Sequence, residues 1–127
     1  MTEKKRLKAT RKLRPYVQKL AVLMKLPHWS IILCDIEAQE GKAAQCWLNY
    51  GQNRATIRLG PTFFNDPPEE QRDTICHELI HCLLAPIDNG LKNGLDKVAY
   101  EMWSESMERA VDALAGIIAP SMPLPPK

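Results

Sequence analysis

The chain has no apolar run approaching the ~20 residues that cross a bilayer. Its most apolar early stretch, Val17 to Leu26, is interrupted by Gln18, Lys19 and Lys25. Neither a membrane anchor nor a signal peptide is expected. There is also no C-x-x-C pair among Cys34, Cys46, Cys76 and Cys82. The last two are six residues apart on one expected helix, too far for an unstrained bridge. Reduced thiols and a cytoplasmic location are the expectation. No internal repeat and no linker interrupts the 127 residues, a length that fits one domain with a real core. With 45% apolar and 25% charged residues, the composition is that of an ordinary soluble globular protein.

Net charge is only +2, but it is unevenly placed. Lys4, Lys5, Arg6, Lys8, Arg11, Lys12 and Arg14 crowd the first fourteen residues against one acid, Glu3. Two readings fit: an arm for nucleic acid or an acidic partner, or a solvated lead-in to a helix. Residues 1–9 are expected to be basic and flexible, and residues 119–127, with four prolines, to form an extended tail.

Between these ends the pattern predicts an α+β domain. Leu13, Val17, Leu20, Leu23 and Leu26 recur at largely helical spacing, giving a helix from Ala9 to Leu26 closed by Pro27. Three strands follow, at Trp29 to Ile36, Ala44 to Tyr50 and Arg54 to Leu59, forming a small, mainly antiparallel sheet. Asp66-Pro67-Pro68-Glu69 reads as a helix start, with Asp66 at the cap and Glu69 three residues later. That helix is expected to end at Ala85-Pro86, with a loop over Ile87 to Gly94. A second long helix is expected from about Leu95 to Ile118.

Only three histidines are present, and two of them fall in the first of these helices, in DTICHELIHCLL from Asp73 to Leu84. At 100° per residue His77 and His81 lie about 40° apart, while Ile75, Leu79, Cys82 and Leu83 cluster on another side. Two imidazoles one turn apart can share one zinc ion, and the intervening Glu78 is placed to act as a general base on metal-bound water. The match is H-E-x-x-H. Zinc needs a third protein ligand. Ile87 and Leu84 stand where a metzincin would need a ligand and a glycine. The second long helix carries acids on one face instead: Glu101, Glu105 and Asp112 all fall within about 60° of Glu108. Glu108 with Asp112 one turn later is the favoured spacing, because the second carboxylate could hold the spare ring N–H of a ligand histidine. Glu105 and Asp112 are the other candidates as ligand, and Glu101 fits an ordinary solvated face.

HELIH from His77 to His81, and Glu108 and Asp112 on the following helix, resemble the compact gluzincin metallopeptidases, most of all the SprT-like and phage-type minimal members. ERAVDALAGIIAP, from Glu108 to Pro120, is similar to the E-x-x-A-N-x-F-A…P ending of ImmA/IrrE-type peptidases. The resemblance covers Asp73 to Pro120, and the strands agree in their order. It implies a zincin-like fold and a zinc-dependent peptidase acting on a peptide or protein substrate. His77, His81 and Glu108 would be the ligands, Glu78 the base and acid, and Asp112 the support behind them. It also implies an edge strand that pairs with extended substrate, expected at Arg54 to Leu59. The zinc-ribbon cysteines and helix-turn-helix domain of some relatives are absent, which leaves DNA repair and repressor cleavage without support. Tyr100, Arg109 and His28 are candidate donors to the oxyanion of the transition state. The competing expectation is a zinc-stabilised adaptor that binds nucleic acid or protein without catalysis.

Overall fold

A computed structural model describes Met1 to Lys127. It is an α+β fold of three helices and one three-stranded mixed sheet, with helix α1 over Glu3–Leu23, strands β1 (Ser30–Leu33), β2 (Ala44–Asn49) and β3 (Arg54–Leu59), then helices α2 (Pro68–Gly94) and α3 (Lys97–Ile118). No helix is long and apolar enough to cross a membrane.

The lead-in expected to be flexible is helical from Glu3. Thr2 caps it, its hydroxyl accepting from the Lys5 N–H at 3.2 Å, and Glu3 sits in the first turn where the helix dipole favours an acid. Three arginines of the basic cluster are paired: Arg6 with Glu37 at 3.1 Å, and Arg11 and Arg14 with Asp35 at 3.5 and 2.8 Å. The far end stops at Leu23 rather than Leu26. Lys25 takes the left-handed conformation (φ 64°), and the N–H groups of Leu26 and Lys25 return to the carbonyls of Ala21 and Val22. This is a Schellman ending with lysine where glycine is usual.

The strand order is β1-β3-β2, with β1 parallel and β2 antiparallel to β3. The sheet is therefore mixed, and β3 is its centre rather than an edge. Alternation explains why: Ala55, Ile57 and Leu59 are all buried on one face of β3, together with Ile31 and Leu33 of β1, and a strand flanked on both sides is the one best shielded. The outer edge of β1 is closed by α1. Gln18 Nε2 donates to the Ile31 carbonyl and Arg14 Nε to the Leu33 carbonyl, two helix residues one turn apart meeting two carbonyls two residues apart. Edge groups covered in this way cannot template another strand.

Helix α2 starts at Pro68 with Pro67 in the cap position. Asp66 ends a 3-10 turn over Phe63–Asn65 and makes no capping bond; Gln71 Nε2 ties the two segments together through the Phe63 and Asp66 carbonyls. The helix runs through Pro86 to Gly94, so the expected loop is helical. An internal proline costs about 3 kcal/mol by removing a bond and crowding the preceding turn. Contacts with α3 offset this: Asp88 accepts from Tyr100 Oη at 3.1 Å and from Trp103 Nε1 at 3.2 Å. Asp96 caps α3 through the Ala99 N–H at 2.8 Å. Beyond α3 the proline-rich tail is extended after a 3-10 turn over Ala119–Ser121. It lies along α1, where Tyr16 Oη donates to the Pro123 carbonyl at 2.6 Å and Lys12 to that of Lys127 at 2.9 Å. One core joins all these elements, with Ile75, Cys76, Leu79 and Ile80 of α2 meeting Met107, Val111 and Ala115 of α3.

Candidate metal centre

The core face of α2 fixes what its other edge presents. With Ile75, Cys76, Leu79 and Ile80 buried, His77 and His81 are turned to the rim of the core and are only partly exposed. Met107 and Val111 anchor α3 in the same way, and this turns Glu108 and Asp112 toward the histidines. Glu108 Oε1 lies 3.0 Å from His81 Nε2, and Oε2 lies 3.4 Å from His77 Nε2. One donor atom from each of the three residues lies within 4.8 Å of the other two, so the group could hold a metal ion. Two metal bonds of ~2.0–2.1 Å at a tetrahedral angle separate their donors by about 3.4 Å, close to the His–Glu distances found here.

Asp112 Oδ1 is 2.9 Å from His77 Nδ1. A proton held on Nδ1 by that contact leaves Nε2 with its lone pair, aimed at Glu108, which is the tautomer a ligand histidine needs. The two carboxylates are 56% and 72% exposed, so solvent screens their attraction to the rings and ion pairing alone contributes little. Glu101 and Glu105 point into solvent and take no part.

Glu78 is buried beside this group, 7% exposed. Burial, with the charge of Glu108 adding and that of His77 opposing, pushes its carboxyl up to about 7. Burial also lowers His81, favouring the neutral imidazole that can donate a lone pair.

These residues line an open cleft of about 1030 Å³ between β2 and the two long helices. Its walls carry five carboxylates, those of Asp73, Glu78, Asp88, Glu108 and Asp112, against two lysines, Lys42 and Lys92. Strand β2, not β3, borders it. The Gly60 N–H donates to the Ala43 carbonyl at 2.8 Å. In an antiparallel ladder this makes 43 and 60 a bonded pair and turns the N–H and C=O of Ala44, Cys46 and Leu48 to the free edge. The expected substrate strand, Arg54 to Leu59, has both edges occupied and cannot accept a peptide. Of the three expected oxyanion donors, Tyr100 lines the cleft with its hydroxyl given to Asp88, and His28 and Arg109 stand outside it. Burial, opposed by Ser104 and reinforced by the charge and hydrogen bond of Asp88, raises the Tyr100 phenol.

Two features of the cleft were not expected from sequence. The edge position of β2 had a faint signal in its looser alternation. Asp88 was hidden by Pro86, although it follows His81 by seven residues and so returns to the same helix face. Comparisons with protein-family profiles, curated proteins and solved structures found no match.

Proposed function

We propose that the chain is a zinc-dependent peptidase of compact, zincin-like build, with His77, His81 and Glu108 holding the metal. The observation that carries this is the convergence of two Nε2 atoms and one carboxylate beside a buried glutamate. The donor set fits zinc: two imidazoles and one carboxylate, partly open to a cleft, match the three-ligand sites that leave a position free. Zinc bound there would polarise a peptide carbonyl and lower the pKa of water toward ~7.

The chain's own residues do the rest. Glu78, buried between the two histidines in sequence and facing the same cleft, accepts the proton of the attacking water and delivers it to the leaving nitrogen. Asp112 holds the His77 ring in its ligand orientation. The free edge of β2 aligns an extended substrate through main-chain hydrogen bonds across the cleft. The competing adaptor reading has less support: it has no use for a buried base beside an open cleft, and three of the arginines it would employ are paired with acids of the same chain.

The test is elemental analysis of wild type beside His81→Ala, Glu108→Gln and Glu105→Gln, followed by peptide hydrolysis. About one zinc per chain in wild type and Glu105→Gln, sharply reduced in the other two, is expected, together with hydrolysis that Glu78→Gln abolishes while retaining metal. A wild type that neither carries nor takes up zinc would sink the proposal.

A further inference from the structure

Seven residues beyond His81, α2 carries a carboxylate that the proposed hydrolysis does not use. Seven residues advance the helix by about 10 Å and return it to within about 20° of the same direction. Asp88 thus continues the stripe of His77 and His81 along one side of the cleft, and all three line it. It reaches this place because α2 persists through Pro86. Its carboxylate is held rather than free to swing, with Oδ1 accepting from both Tyr100 Oη at 3.1 Å and Trp103 Nε1 at 3.2 Å and Oδ2 lying 3.4 Å from the same tyrosine hydroxyl. Both donors are neutral, and Asp88 enters none of the ion pairs of the chain. Lys92, one turn further along α2, also lines the cleft but forms no ion pair with it. The result is a fixed negative charge outside any ion pair, aimed by two aromatic side chains, in a cleft that carries five carboxylates against two lysines.

We propose that Asp88 is a specificity residue that recognises a cationic nitrogen of the substrate, either a lysine or arginine side chain or a peptide amino terminus. The inference rests on the peptidase reading and names the substrate class for it. Extended peptide advances about 3.3 Å per residue, so the distance from His81 corresponds to about three residues, or fewer where a long side chain makes up the difference. An ammonium or guanidinium there gains a charge-assisted hydrogen bond to the second carboxylate oxygen. A neutral side chain leaves the carboxylate facing water and gains nothing.

Binding is read separately from turnover by using zinc-loaded Glu78→Gln as a trap for fluorescein-labelled peptides. One series is N-acetylated and carries a single lysine or, for comparison, norleucine at successive positions. A second has no cationic side chain and a free amino terminus. In Glu78→Gln a lysine at one or two positions, or the free terminus, should tighten binding about tenfold over the neutral counterpart. In Glu78→Gln/Asp88→Asn that ratio should fall to near one. In Glu78→Gln/Tyr100→Phe, which keeps the charge and removes one of its two donors, it should fall part of the way. Preference for the lysine series identifies a side-chain subsite, and preference for the free terminus identifies terminus recognition; either supports Asp88 as the reader. Equal binding of cationic and neutral peptides, or a preference that survives Asp88→Asn, overturns the inference while leaving the peptidase reading intact. Failure of every peptide to bind would overturn both.

Discussion

Replacing Glu78 by glutamine in the metal-free protein removes a carboxyl that burial, with Glu108 adding, raises from its ordinary 4.5 to about 7. Between those two values the unfolded chain has released a proton that the folded chain keeps. The unfolded state binds fewer protons there, so this contribution to stability falls as pH rises through the window and levels off above it. A gap of roughly 2.5 pH units corresponds to about 3 kcal/mol, most of it between pH 5 and pH 8. For a chain of this length the midpoint shift is on the order of 10 °C. His81 moves the other way: its lowered value gives stability that is present above its ordinary 6.5 and lost as pH falls. The wild-type curve alone mixes the two, whereas the difference between wild type and Glu78→Gln isolates the glutamate. Thermal unfolding followed by circular dichroism, in chelator, should show the variant gaining about 2–3 kcal/mol on wild type from pH 5 to pH 8. Zinc should shrink that gain, because a cation beside the carboxylate favours its ionised form. A difference that is flat across this range would refute the reasoning, since it would mean that the carboxyl titrates alike in both states.

Asp112→Asn should weaken zinc binding by about 10- to 100-fold without abolishing it, measured by competition with a chromogenic chelator; an unchanged affinity would remove Asp112 from the site. Gly60→Ala tests the start of β2, since a Cβ there would lie 1.9 Å from the Lys42 carbonyl oxygen. The backbone must shift and strain the 2.8 Å bond from the Gly60 N–H to Ala43. A loss of about 2 kcal/mol or more in urea unfolding is expected, and a loss below about 0.5 kcal/mol would contradict the close approach.

The parts of the site that could be read from sequence share one property: each is a spacing within a single helix. His77, Glu78 and His81 are related by the turn of α2, and Glu108 and Asp112 by the turn of α3. Periodicity put Glu105 and Glu108 on one face, Asp112 one turn beyond Glu108 favoured the latter, and the structure brings Glu108 within reach of both histidines. The α+β class was legible for a similar reason, because burial alternates with the period of each element. Strand order is not a local property. Alternation tells which face of a strand is buried and says little about its neighbours, so Arg54–Leu59 was taken for an edge although its fully buried face belongs to a strand shielded on both sides.

The other departures arise where a partner distant in sequence overrides a local rule. The lead-in read as flexible is helical from Glu3, where Thr2 caps it and Glu37, distant in sequence, meets Arg6. Pro86 carries its local cost wherever it stands, but the bonds from Tyr100 and Trp103 to Asp88 form only if α2 continues past it. The proline and the Asp88 carboxylate are therefore one problem. Ending the helix at Pro86 removes Asp88 from the face of the histidines, and continuing it aligns a third side chain with the candidate metal centre. The same residue that made the helix look finished is thus what concealed the longer stripe along which the proposed substrate is read.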